Sequence, residues 1–118
     1  MEDFMTILKN EFEAGDGSFL IKLRPNLEWD KAAFNRLASA MKLCAERVSL
    51  EPKLERWVAE GFWFVPRFVR EWATHSSFPK VYPTEYYERA FTRLEDLAYR
   101  YLMGQSPYES GEHFEPLA

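Results

Sequence analysis

Cysteine occurs once in the chain, at Cys44. A single thiol excludes an intramolecular disulfide and any zinc site built on paired cysteines, and it points to the reducing cytosol as the compartment. Histidine is almost as scarce, with His75 and His113 the whole supply, and no Glu-x-x-His occurs, so the ligand pattern of a di-iron helical bundle is missing. Positive charge is not in excess either. Fifteen Lys and Arg against nineteen Asp and Glu leave a net charge of −4 and a pI near 5.2, which argues against a general nucleic-acid or anionic-membrane binder, because both need a positive surface field. Long apolar runs are absent: the longest, Phe62 to Pro66, falls far short of the ~20 residues of a membrane span, and Met1-Glu2-Asp3-Phe4 is acidic where a signal peptide would be positive. No repeat and no low-complexity tract appears.

What the chain does have is apolar and aromatic mass. Its 118 residues suit one domain, and 47% hydrophobic with 29% charged residues lies in the globular range; aromatics reach 17%. They are densest from Trp57 to Trp72, which reads W-V-A-E-G-F-W-F-V-P-R-F-V-R-E-W.

The spacing predicts four main helices. Phe4, Leu8 and Phe12 recur every four residues with Met5 and Ile7 beside them, giving a first helix from Glu2 to about Ala14, with Glu2 and Asp3 suited to its positive end and Gly15 to its left-handed C-terminal residue. Gly15-Asp16-Gly17-Ser18 reads as a turn, and Phe19 to Leu23 as a short strand or an extended segment packed over the helices. Ala33, Phe34, Leu37, Ala40, Met41, Cys44 and Val48 mark a second helix that Asp30 or Asn26 can cap. Ser49-Leu50-Glu51 breaks it, Pro52 suits the first position of a third, and Leu54, Trp57, Val58 and Gly61 supply that helix with an apolar face. Gly61 and Pro66 then predict a kink or a split, since proline in a helix interior costs roughly 3 kcal/mol. His75 to Thr84 reads as a proline-stiffened loop pinned by Phe78 and Tyr82. Tyr87, Ala90, Phe91, Leu94, Leu97, Ala98 and Tyr101 form the last helix, capped by Thr84 and closed by Gly104. The expected architecture is an all-α helical bundle over residues 1–104, its third helix kinked or split near Gly61-Pro66, followed by an irregular acidic tail over 105–118.

Few residues offer chemistry. Cys44 falls on an apolar face with no adjacent base, the setting of an inert core thiol. Glu71 and His75 share a metal-compatible spacing but make only one pair, and His113 lies among acids; no metal or cofactor is implied. Gly15-Asp16-Gly17 lacks the third glycine of a dinucleotide fingerprint, Leu20 standing there, and Glu13 with Asp16 does not match a calcium loop. Glu85, Glu88, Glu95 and Asp96 lie beside Arg89, Arg93 and Arg100 and read as an ion-paired helix side rather than an acid-base pair.

Arg56, Arg67 and Arg70 interleaved with Trp57, Trp63, Phe64, Phe68 and Trp72 are the remaining signal, because contact hot spots favour Trp, Tyr and Arg. Most of these rings must fill the core. The corner from Phe62 to Arg67 is the candidate partner surface, with Trp63, Phe64, Arg67 and Arg70 the binding residues. In acidity, aromatic content and single-domain size, though in no motif, the chain is similar to small bacterial immunity proteins that block a toxin by binding it. The expected function is therefore binding of another macromolecule, a protein with a basic surface, in the cytosol, with homo-oligomerisation open and neither nucleic acid nor membrane as partner. The alternative is a small-molecule binder or enzyme with an aromatic-lined pocket between helices, where Arg67 or Arg70 contacts an anion.

Overall fold

A computed structural model describes residues 3–48 and 52–104; the expected acidic tail at 105–118 with His113, the break at 49–51 and Glu2 lie outside the described residues. Among the described residues five helices follow one another, α1 (Phe4–Phe12), α2 (Phe19–Leu23), α3 (Lys31–Val48), α4 (Arg56–Thr74) and α5 (Thr84–Met103), and there is no strand. α5 packs against both α3 and α4, α1 packs against the same two, and α2 bridges α1, α3 and α4. The result is the all-α bundle expected from the periodicity.

The segment expected to be extended is instead α2, and burial explains why. Phe19, Leu20 and Leu23 are buried while Ile21 is exposed. A strand would put residues 19, 21 and 23 on one face and expose Leu20, whereas one helical turn brings 19, 20 and 23 to the core together. Ser18 starts that turn, its Oγ accepting from the Ile21 N–H at 3.2 Å.

Smaller boundaries also move. α4 begins at Arg56 rather than at Pro52, so Leu54 lies outside the helix and exposed. Ala14, not Gly15, takes the left-handed conformation after α1, at φ 55°. A Cβ at Gly15 would meet the exposed end of the Asn10 side chain, which can move aside. Thr84 is the first residue of α5 and Pro83 occupies the cap position. Asp30 caps α3 as expected, its Oδ1 accepting from the Ala33 N–H at 3.0 Å. Its Oδ2 meets Lys22 Nζ at 2.6 Å, and the Lys22 hydrogen bond holds the Asp30 carboxyl below the usual range. Gly104 closes α5 at φ 77°.

The core is largely aromatic. Trp29, 4% exposed, stacks on Phe34 at 5.4 Å between centroids and meets the edges of Phe19, Tyr87 and Phe91; its Nε1–H donates to the Tyr86 hydroxyl at 2.9 Å. Burial raises the Tyr86 pKa even against that hydrogen bond. The loop after α4 is held as its sequence suggests, with Phe78 buried and Tyr82 tilted onto Tyr86, and the Tyr87 hydroxyl also accepts from the Val81 and Tyr82 amides.

One acid lies inside this core. Glu11, 1% exposed, accepts from the Phe19 N–H through Oε1 and from Arg36 Nε through Oε2, both at 2.9 Å. Arg36 also donates to the Gly17 carbonyl. A single carboxylate thus fixes the turn between α1 and α2 and ties both to α3.

α4 is one uninterrupted helix through Gly61 and Pro66, so the split considered for this segment does not occur. Gly61 has a packing purpose: a Cβ there would collide with the Phe12 ring, which lies edge-on to Phe62 at 5.6 Å and to Trp57 at 6.4 Å. Pro66 is buried, and Phe62, one turn before it, stacks on Tyr101 at 4.2 Å and 8°. Burial of these rings against α1 and α5 outweighs the local penalty at proline, since a buried aromatic removes ~150–250 Å² from water.

Two substitutions test this packing by urea denaturation. Gly61→Ala lowers stability by about 1–2 kcal/mol, because overpacking against Phe12 exceeds the gain in helix propensity; unchanged or increased stability would contradict the close contact. Glu11→Ala costs about 2–4 kcal/mol, since the Phe19 N–H is left buried without an acceptor, while Glu13→Ala on the exposed side changes stability by less than about 0.5 kcal/mol.

Candidate functional site: the outer face of α4

An unbroken helix places successive residues about 100° apart, and this fixes which rings turn inward. Val58, Gly61, Phe62, Val65, Pro66, Val69 and Ala73 are buried. Trp63 and Phe64 emerge on the opposite side, 56% and 48% exposed, with Arg67 exposed beside them.

The four expected binding residues divide between two flanks of this face. Trp63, Arg67 and Arg70 border α5. The Arg67 guanidinium lies over the Trp63 ring at 4.5 Å, and the groove beside it, about 320 Å³, is lined by Phe62, Trp63, Pro66, Arg67, Glu95, Ala98 and Leu102. Phe64 borders α1 instead, in a groove of about 430 Å³ lined by Lys9, Phe12, Glu13, Trp57, Glu60 and Gly61. From there Phe64, Phe68 and Trp72 form a ladder of stacked rings along α4, with centroids 5.3 and 5.7 Å apart and planes within 19°. The ladder ends in the fold, where Trp72 Nε1–H donates to the Leu23 carbonyl at 3.0 Å.

Arg70 does not share the freedom of Arg67. Its Nε and Nη2 donate to the two Glu95 oxygens at 2.8 and 3.1 Å, its Nη1 stands 3.6 Å from Glu88, and its guanidinium lies 4.9 Å from the Phe91 ring centroid. The Glu95 hydrogen bond raises its pKa above the ordinary value. Arg70 therefore acts as a clamp between α4 and α5: Glu88 and Glu95 are ion-paired, but with Arg70 across on α4 where the sequence suggested the arginines of their own helix. Arg67 makes no ion pair among the described residues.

The remaining chemical candidates lead nowhere else. Cys44 is fully buried, and burial pushes its thiol pKa up to about 11, away from nucleophilic use at neutral pH. His75 is exposed and its Nδ1 accepts from the Ser77 N–H at 3.1 Å. Among the described residues no group of three or more His, Cys, Asp or Glu is placed to hold a metal, and no helix is long and apolar enough to cross a membrane.

Tertiary contact adds what sequence spacing could not show. Ala98 and Leu102 join Trp63 from α5, and Lys9 and Phe12 join Phe64 from α1. No family model matches the chain, and neither a curated protein nor a solved structure matches it.

The contrast between the two arginines is testable by denaturation. Arg70→Ala destabilises by about 1 kcal/mol through loss of the Glu95 and Glu88 pairs and of contact with Phe91, whereas Arg67→Ala changes stability by less than about 0.5 kcal/mol. Equal losses would contradict the separation of clamp and free surface.

Proposed function

We propose that this is a cytosolic binding protein that engages another protein through the outer face of α4. The observation that carries the reading is the exposure of two adjacent large aromatics, Trp63 and Phe64, on a helix whose opposite side is wholly buried. Water contact at two such rings stabilises nothing within the fold, and Trp carrying an arginine on its face has the composition of contact hot spots. The net charge of −4 favours a basic partner by steering its approach, an effect on association rate more than on affinity. An inhibitor or immunity-type role fits the same features: a small rigid bundle presenting one preformed face.

Capture experiments with the full chain as bait test this. Wild type retains a defined protein partner, and Trp63→Ser combined with Phe64→Ser loses it while circular dichroism shows the helical fold intact and unfolding stays cooperative, at a midpoint lowered by the lost half-buried rings. Retention of the same partner by the double variant would contradict the assignment of this face.

A further inference from the structure

The outer face of α4 carries a pattern that bears on which protein it contacts. Arg56, Glu60, Trp63, Phe64, Arg67 and Glu71 are all exposed. At 100° per residue they fall within about 100° of the helix circumference and span about 22 Å of its length. They form two neighbouring ridges of four-residue steps, Arg56-Glu60-Phe64 and Trp63-Arg67-Glu71. Taken forwards, the first ridge runs cation, anion, ring; taken backwards, the second runs anion, cation, ring.

From this we infer that α4 pairs with α4 of a second copy of the same chain, antiparallel, about a two-fold axis between Trp63 and Phe64. That axis sets Arg56 opposite Glu71 of the second copy, Glu60 opposite its Arg67, and Trp63 opposite its Phe64. Each pairing occurs twice, as a two-fold interface requires. The charges oppose each other at both positions, while a parallel pairing in register would set every charge against its like. Arg56, Glu60, Arg67 and Glu71 make no ion pair among the described residues, so none has to be taken from an internal partner. The Arg67 guanidinium, spread over the Trp63 ring, keeps its N–H edge for a carboxylate while the ring covers one face. At a shallow crossing angle of about 20° the pairs remain in reach along the whole stretch. One helix pair is a small interface, and association in roughly the micromolar range follows.

The inference rests on the reading of α4's outer face as a protein-contact surface; its occupant is a second acidic copy, matched by the local charge pairs of this face and not by the net charge that would steer a basic partner. Sedimentation velocity of the full chain from about 1 to 200 µM tests it, a window that brackets micromolar affinity. Wild type passes from 14.0 kDa toward twice that mass as concentration rises. Glu60→Arg and Arg67→Glu, each made alone, weaken association about tenfold or more, because each turns two attractive pairs into repulsive ones. The double variant Glu60→Arg with Arg67→Glu restores association to within a few-fold of wild type, since the opposed charges are exchanged across the axis. Glu71→Arg with Arg67→Glu does not restore it. These residues are exposed, so circular dichroism stays unchanged throughout. A monomer across the whole range, single reversals without effect, or an exchange that fails to rescue overturns the inference. If wild type is monomeric yet a captured partner still depends on Trp63 and Phe64, the contact face stands and only the second copy is wrong; if both fail, the reading of the face falls with it.

Discussion

Helical continuity of α4 at Gly61 and Pro66 is the constraint on which the rest of the structure depends. Proline removes the hydrogen bond to the Phe62 carbonyl, and glycine is the weakest ordinary helix former, so local preference favours an interruption. Packing decides otherwise. The missing Cβ at Gly61 admits the Phe12 ring, Phe62 stacks flat on Tyr101, and Val58, Val65 and Val69 complete the buried side. Once the helix is continuous, its angular spacing leaves Trp63 and Phe64 no inward position. Their exposure follows from the same geometry that buries their neighbours, and the ridge pattern across the outer face exists only because the spacing is regular from Arg56 to Glu71.

A second tie holds the other half of the bundle. Glu11 is a charged residue on the inner side of α1, and it is tolerated there because both oxygens are used, one by the Phe19 amide and one by Arg36. This arrangement orients α2, which delivers Phe19 to the edge of Trp29 and the Leu23 carbonyl to Trp72. α4 therefore touches a carboxylate-organised corner through Trp72 and a glycine-enabled contact through Gly61, while Arg70 clamps its other side to α5. The helix that presents the candidate surface is braced on three sides, a rigid platform for contact.

Much of this was legible in the sequence where one helix face decides burial. The periodicities of Ala33 to Val48 and Tyr87 to Tyr101, the Asp30 cap and the Gly104 stop describe local geometry, and local geometry is what spacing encodes. α2 is not legible in this way, because a five-residue apolar run has no period of its own and only its environment selects a turn over a strand. Glu11 gave no signal, since its burial depends on Arg36 and the Phe19 amide arriving from elsewhere in the chain. Trp63, Phe64, Arg67 and Arg70 were singled out by composition, but composition does not tell a clamp from a free edge. Arg70 and Arg67 differ because Glu88 and Glu95 pair with one, while the other makes no ion pair among the described residues although Glu95 lines the same groove.

The most direct test of the account is a residue-by-residue measurement of backbone carbon chemical shifts across α4 by NMR. Uninterrupted helical shifts from Arg56 to Thr74, passing through Gly61 and Pro66, are the expected result. A run of non-helical shifts between Phe62 and Pro66 would contradict it, since the rings would then no longer be held at helical spacing and the outer face would not exist.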